Sequence, residues 1–147
     1  MAFVLQTDQK GAIAESAIAH EAIKLGVEVW VPLAVSRADL LLDIGGRFLR
    51  VQCKWASRYG EIVVVRCYSA RRTRDGLRRR TYSPDDVDLN GAYCEELDRC
   101  YLLPPELFSG RNQIHLRLSP GKNNQKLGVK WADEFEMAGT LERLKGP

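Results

Sequence analysis

Three consecutive segments decide the fold: Asp39-Leu-Leu-Leu-Asp-Ile44, Gly45-Gly46, and Arg47-Phe-Leu-Arg-Val-Gln-Cys-Lys-Trp55. Two largely apolar runs flank a Gly-Gly pair, and glycine accepts the positive φ angles that a tight hairpin turn requires. The pattern therefore predicts a β-hairpin. If the hairpin closes symmetrically over Gly45-Gly46, Ile44 pairs with Arg47 and, counting outward, Asp39 lies opposite Gln52.

This register brings three polar side chains to one face. Directly opposed residues project from the same side of a sheet with Cβ atoms about 4.5–5.5 Å apart, so Asp39 and Gln52 are neighbours and Lys54 is a diagonal neighbour. A carboxylate, an amide and an ammonium group thus converge. The reverse face is apolar and consists of Leu40, Leu42, Leu49, Val51, Cys53 and Trp55.

The segments before and after the hairpin predict further elements. Residues 11–26 fit an amphipathic helix, because Ala14, Ile18, Ala22 and Leu25 recur at helical spacing and Gly26 is placed to end it. Residues 27–33 are rich in β-branched side chains and predict a strand, and residues 61–67 predict a central strand.

The second half of the chain is more polar. A loop rich in arginine is expected next, and Ser83-Pro84-Asp85-Asp86 is typical of the start of a short helix. Residues 99–104 and 113–118 predict strands, and residues 131–144 a terminal helix. Together these elements predict an α/β sandwich around a mixed sheet.

Composition limits the chain to one domain. Its 147 residues with 45% hydrophobic content suffice for one packed core, so residues 1–147 are expected to form a single domain. No apolar run has the length of a membrane span and the first residues do not resemble a signal peptide, which predicts a cytoplasmic protein. The four cysteines form no C-x-x-C pair, so core-packed thiols are expected.

Positive charge is concentrated in one segment. Residues 66–80 contain seven arginines and a single acid, Asp75, although the net charge of the chain is only +3. Clustered guanidinium groups suit contact with phosphates, whereas the structural alternative is a solvated loop. The DNA-binding candidates are Arg71, Arg72, Arg74, Arg78, Arg79 and Arg80.

At the hairpin the chain resembles the PD-(D/E)XK nuclease superfamily, whose core places an acid on one strand and acid-x-lysine on the next. The text A-D-L-L-L-D-I-G-G-R-F-L-R-V-Q-C-K-W is similar to the subgroup of group I intron homing endonucleases, in which glutamine replaces the second acid. The resemblance spans residues 8 to 104. It departs from the motif before Asp39, where Arg37-Ala38 stands in place of the proline.

The resemblance implies a restriction-endonuclease-like fold and a Mg²⁺-dependent DNA endonuclease, with Mn²⁺ as a possible substitute for Mg²⁺. Asp39, Gln52 and, from the helix, Glu15 would be the metal ligands. Lys54 would orient the attacking water or stabilise the charge of the transition state, because phosphodiester hydrolysis must neutralise charge on the scissile phosphate. Tyr82 is expected in core or rim packing, and Asp88 in a solvated turn.

Other functions remain open from the sequence. A Holliday-junction resolvase or a repair or restriction nuclease would share the same active residues. An inactive DNA-binding module is a hypothesis that Gln52 permits. An RNA-binding protein is disfavoured, because no strand of this sequence carries an aromatic stacking motif.

One active centre per chain also predicts a symmetric homodimer or homotetramer, since two strands of DNA need two centres. Residues 119–147 are the expected interface or C-terminal extension.

Overall fold

The computed structural model describes residues 3–121 and 127–146. Its first element is helix α1 (Thr7–Lys24), which begins earlier than the predicted segment and buries Ala14, Ile18 and Ala22 as the spacing predicted. Gly26 follows with a φ of +82°, a conformation that an L side chain rarely adopts, and so ends the helix.

Nine strands follow in the described residues. They are β1 (Glu28–Trp30), β2 (Leu40–Ile44), β3 (Arg47–Tyr59), β4 (Ile62–Arg66), β5 (Tyr68–Thr73), β6 (Gly76–Thr81), β7 (Leu89–Cys94), β8 (Arg99–Leu103) and β9 (Gln113–Arg117). Helix α2 (Pro105–Phe108) precedes β9, and a 3₁₀ turn (Ala132–Phe135) leads into helix α3 (Met137–Lys145).

Seven strands form one sheet, and this sheet is mixed, as the sequence predicted. Its order is β1-β2-β3-β4-β9, and β7 pairs with β3 and β8. The β3–β7 ladder is parallel and the other ladders are antiparallel. The predicted register of the β2–β3 hairpin is confirmed from Ile44↔Arg47 to Leu40↔Val51.

The sheet is covered on both faces, which explains its alternating burial. Helices α1 and α3 pack with Leu42 and Val51 in one core cluster, to which α3 contributes Met137 and Leu141. The other cluster contains Ile114 and Leu116 together with Phe108 of α2. All four cysteines are free, and Cys53, Cys67 and Cys94 are buried as expected.

Two sequence-based predictions are wrong. The arginine-rich segment is not a loop but a separate two-stranded hairpin, β5–β6, which closes at Thr73↔Gly76. Residues 83–86 form a single turn and no helix, because the Asp88 N–H already donates to the Arg50 carbonyl at 2.9 Å and leads the chain into β7. Strand β7 and helix α2 were not predicted.

Helix α3 confirms the helix expected near the end of the chain. It packs against β8, where the Thr140 hydroxyl donates to the Leu102 carbonyl at 3.0 Å. The apolar side of α3 is therefore used within the chain. Residues 122–126 and residue 147 of the expected interface segment lie outside the described residues. None of the helices in residues 3–121 and 127–146 has the length and apolar character needed to cross a membrane.

Candidate active site

The site lies where the sheet divides. Strand β3 pairs with β2 through residues 47–51 and with β4 through residues 57–59. Arg47 and Tyr59 each close a two-residue hairpin, and the backbone N–H and C=O groups of such closing residues point toward the partner strand. Alternate residues of a strand direct these groups to the same edge. Because both positions are odd-numbered, β2 and β4 lie along the same edge of β3. Between the two ladders, residues 52–56 have β7, on the other edge, as their only partner among the described strands. We call this gap between β2 and β4 the fork.

Asp39 lies in the fork, one residue before β2. Its N–H donates to the Val51 carbonyl at 2.8 Å, and its Oδ2 accepts the Cys53 N–H at 2.8 Å. Burial raises the pKa of this carboxyl, and the Cys53 N–H and the Lys54 ammonium oppose that rise only in part. The side chain thus satisfies a β3 N–H that no strand covers, and Oδ1 makes no hydrogen bond with the described residues.

Glu15 of α1 is brought close to Asp39. Burial raises the pKa of Glu15, and repulsion from the Asp39 carboxylate raises it further. Burial also raises the pKa of the nearby Cys53 thiol, and the Asp39 and Glu15 carboxylates raise it further. Two partly desolvated carboxylates with mutual repulsion form the electrostatic environment that a cation would relieve.

Gln52 lies on β3 beside the fork, and its side-chain amide has no hydrogen-bond partner among the described residues. Its register partner on β7 is Asn90, whose side chain projects from the same face of the sheet. Asn90 is fully buried, and neither atom of its amide has a conventional hydrogen bond. One polar neighbour of that amide is the Cys67 thiol, a weak hydrogen-bonding group.

The oxygen donors fit a hard divalent cation. Carboxylate and amide oxygens are the ligands that Mg²⁺ prefers, and Asp39, Glu15 and Gln52 supply them at the fork. The Asn90 amide beside Gln52, whose polar neighbour is the weakly bonding Cys67 thiol, adds a further polar group at the same place. Within residues 3–121 and 127–146, no group of three or more His, Cys, Asp or Glu side chains is arranged to hold a metal.

Lys54 is fixed above the fork by the base of the β5–β6 hairpin. Its Nζ donates to the Tyr68 carbonyl at 3.0 Å and lies 5.1 Å from the centre of the Tyr82 ring. Tyr68 begins β5 and Tyr82 follows β6. Lys54 is thus held by one residue at the start of β5 and one residue directly after the end of β6.

The β5–β6 hairpin, which we call the arginine ribbon, pairs only with itself among the described strands. Arg72, Arg74, Arg78, Arg79 and Arg80 are all exposed. Arg71 is paired with Arg78 along the backbone, but its side chain lies outside the described part of the structure. Successive residues of a strand alternate between faces, so the ribbon presents arginines on both sides.

A groove with a volume of about 790 Å³ opens beside Lys54. It extends from the start of α1 over the outer surface of β3, β4 and β9. Its described lining contains no acidic residue, and its basic and aromatic members are Lys10, Lys54, Trp55, Tyr59, Arg66, Tyr68 and His115.

The β7 side of β3 is secured by an ion pair. The Arg50 Nε and Nη2 donate to the Asp88 carboxylate at 3.1 and 3.2 Å, and the Arg50 N–H donates to it at 2.7 Å. Burial alone would raise the pKa of Asp88, but these hydrogen bonds outweigh it and lower the pKa. Asp88 therefore does not merely solubilise a turn, as the sequence suggested; it anchors the entry to β7.

An acid before the first strand of a hairpin and a lysine on the next, within a mixed sheet covered by helices, are features of a nuclease core. The family model of the PD-(D/E)XK endonucleases matches residues 5–138, and the chain belongs to this family. It is thus a DNA endonuclease, as the resemblance implied. Nucleases of this family use divalent metal ions.

The solved structure of a bacterial homing endonuclease, I-Ssp6803I, is similar to this chain over almost its full length. The two share 31% sequence identity with a TM-score of 0.77, and the match covers 97% of this chain and 96% of that chain. No curated protein sequence gives a significant match. This match confirms the expected resemblance to homing endonucleases and the restriction-endonuclease-like fold.

Sequence reasoning missed three residues around the fork. Arg37, which stands near the position of the missing motif proline, has its guanidinium carbon 4.6 Å from the centre of the Tyr82 ring. Tyr82 was expected in core packing and is indeed buried, but its ring also contacts Lys54. Asn90 lies on a strand that was not predicted. Only one of the three has a signal in the sequence: Arg37 belongs to the Arg37-Ala38 pair that stands in place of the motif proline.

Proposed function

We propose that this endonuclease cleaves DNA with Mg²⁺ bound by Asp39, Gln52 and Glu15, and with Lys54 as the catalytic lysine. The observation that carries the proposal is the fork, where the Asp39 and Glu15 carboxylates interact in a partly buried setting beside the fixed Lys54 ammonium. The bound cation would supply Lewis acidity toward the scissile phosphate and the attacking water. Mn²⁺, which accepts the same ligands, is expected to substitute.

Each protein group has a distinct task in this proposal. Asp39 has one oxygen committed to the Cys53 N–H, so Oδ1 remains for the cation. Gln52 adds an oxygen without charge, and Glu15 restores negative charge from the helix. The Lys54 ammonium, fixed by Tyr68 and Tyr82, orients water or stabilises the charge that develops on the phosphate.

The DNA would lie across the arginine ribbon and the adjoining groove. A two-stranded ribbon fits the width of the major groove, and guanidinium groups on both of its faces can reach phosphates and base edges. The groove beside Lys54 lacks acidic lining residues, which suits the backbone of the cleaved strand. The similarity to a homing endonuclease supports a role in cutting a long, defined site.

The test is incubation of the purified protein with supercoiled plasmid, linear duplex and four-way-junction DNA, with Mg²⁺, with Mn²⁺ and with EDTA. Cleavage of duplex DNA that requires the divalent ion is the expected result. Asp39→Ala and Lys54→Ala should each lower the cleavage rate by at least about a hundredfold, because both groups act on the transition state. DNA affinity should stay close to wild type and both variants should remain folded, and retained cleavage by either variant would refute the site.

Two alternatives are distinguished by the same experiment. Preference for the four-way junction would favour a junction resolvase of the same fold. Metal-independent DNA binding without any cleavage would favour an inactive DNA-binding module, the alternative that Gln52 in place of an acid keeps open.

A further inference from the structure

Among the described residues Lys54 forms no ion pair with an acid, although its ammonium interacts electrostatically with the Asp39 carboxylate. Its Nζ donates to the Tyr68 carbonyl at 3.0 Å and lies 5.1 Å from the centre of the Tyr82 ring. A backbone carbonyl directs one of the three ammonium donors, and an aromatic face attracts the cation through its quadrupole. The ring can therefore fix the direction of the side chain and leave its remaining donors free.

Tyr82 is itself held rigidly. Only 2% of its surface is exposed, its N–H donates to the Cys67 carbonyl at 3.4 Å, and its carbonyl accepts the Gly110 N–H at 3.4 Å. A second cation, the Arg37 guanidinium, lies 4.6 Å from the same ring. The phenol hydroxyl makes no hydrogen bond with the described residues, so the aromatic ring is the part of Tyr82 that contacts both cations.

Arg37 also connects the ring to the arginine ribbon. Its Nη2 lies 3.5 Å from the Asp86 carboxylate, and its Nη1 donates to the Ser69 hydroxyl of β5 at 3.4 Å. Asp86 in turn pairs with Arg80 of β6 at 3.0 Å. The base of the ribbon, the Tyr82 ring and Lys54 thus form one continuous set of contacts.

We propose that Tyr82 is a positioning residue for Lys54 and that, through Arg37 and Asp86, it links the ribbon that binds DNA to the lysine that serves cleavage. This inference rests on the proposed function, because it assigns Lys54 a part in the reaction. Tyr82 does not touch the reacting atoms. It acts by keeping the ammonium over the fork, and the ring rather than the hydroxyl provides this effect.

The experiment compares Tyr82→Leu with Tyr82→Phe in plasmid cleavage with Mg²⁺. Tyr82→Leu is expected to lower kcat about tenfold or more, since a desolvated cation–π contact contributes on the order of a tenfold change or more. The KM for DNA should change less than about twofold. Tyr82→Phe keeps the ring and should retain kcat within about twofold. The matched control is Tyr101→Leu, which removes another buried aromatic ring from the same core cluster and should leave kcat near wild type.

A second measurement tests the contact without cleavage. In the metal-free protein, the ring current of Tyr82 should shift the Lys54 ε-methylene proton resonances upfield, and the shift should persist in Tyr82→Phe and vanish in Tyr82→Leu. If Tyr82→Leu does not fold, Arg37→Met keeps the ring and is expected to lower kcat by about threefold, because the ring loses one of its fixed neighbours.

The outcomes separate the inference from the proposed function. A wild-type protein without metal-dependent cleavage refutes the proposed function, whereas the ring-current shift still decides whether Tyr82 fixes Lys54. Wild-type cleavage together with an unchanged kcat in Tyr82→Leu overturns the inference alone. A kcat loss in Tyr101→Leu equal to that in Tyr82→Leu also overturns it, because destabilisation of the core would then explain both.

Discussion

Gln52 is the residue at which this chain departs most from the acid-x-lysine motif. Its amide offers one oxygen to a cation but no charge, and it has no partner among the described residues. Gln52→Glu should therefore remain folded and bind Mg²⁺ more tightly, because a third carboxylate joins Asp39 and Glu15.

Isothermal titration calorimetry of the DNA-free protein measures the Mg²⁺ affinity of Gln52→Glu and of the wild type. When DNA is present, Ca²⁺ takes the place of Mg²⁺ in the titration to prevent turnover. Asn112→Asp, at an exposed amide that does not line the groove, provides the control for added charge. Equal metal affinity of Gln52→Glu and the wild type would argue that Gln52 is not a ligand.

We expect the Asp88 carboxylate to stabilise the fold through its hydrogen bonds with Arg50. Its pKa is lowered in the folded protein by Arg50, so its contribution is fully present above the ordinary carboxyl pKa and is lost as the pH falls through the lowered value. Asp88→Asn should lower the free energy of unfolding by about 1 kcal/mol at neutral pH, since the group is partly exposed and solvent screens the pair.

Urea unfolding at neutral and at strongly acidic pH tests this prediction. The difference in the free energy of unfolding between Asp88→Asn and the wild type should shrink as the pH approaches the lowered pKa of Asp88. Asp75→Asn, in the exposed turn of the arginine ribbon, provides the control. A difference that is constant with pH would show that the carboxylate charge is not its source.

At the scale of elements, the arginine ribbon and the main sheet have different roles. The sheet buries its residues on both faces, whereas almost every residue of β6 is exposed. A strand pair that is mostly exposed and rich in arginine contributes little apolar burial to the fold, and we expect it to contact DNA phosphates.

Replacing Arg78, Arg79 and Arg80 with alanine should weaken DNA binding and reduce its salt dependence. Each lost phosphate contact lowers the log–log salt slope by about 0.9. Because Arg80 also pairs with Asp86 at 3.0 Å, the Arg78→Ala/Arg79→Ala double variant separates phosphate contact from support of the ribbon base.

Fluorescence anisotropy with a labelled duplex over a series of salt concentrations gives the slope. Lys24→Ala/Lys145→Ala removes two exposed cations outside the ribbon and controls for net charge. A slope that does not change when the ribbon arginines are removed would mean that the ribbon is only a solvated hairpin.

At the scale of the whole molecule, one fork per chain limits what a single copy can do. One centre attacks one phosphodiester, so cleavage of both strands in one binding event requires two copies. A homodimer or homotetramer is therefore expected, and it would also double the number of ribbons that contact DNA.

Analytical ultracentrifugation over a concentration series, with and without duplex DNA, measures the assembly. A strict monomer that still produces double-strand breaks without nicked intermediates would contradict this expectation. A monomer that only nicks plasmid DNA would instead indicate a nicking or repair role.

The sequence by itself determined the hairpin and, through it, part of the site. Two positive-φ glycines, Gly45 and Gly46, set the turn, and a two-residue turn fixes which residues face each other. The pairing was therefore predictable from local chemistry out to Leu40↔Val51. The buried face of α1 was predictable for the same reason, since helical spacing is a local property.

Only the tertiary structure decided what surrounds Lys54. The parallel β3–β7 ladder joins segments far apart in the chain, and nothing local to residues 89–94 indicates a register with Gln52. Tyr82 and Arg37 meet because the ribbon base folds back over the fork, and such contacts depend on the packing of separate elements. A short polar strand such as β6 lacks the apolar alternation from which strands are predicted, so its pairing with β5 became visible only in the folded chain.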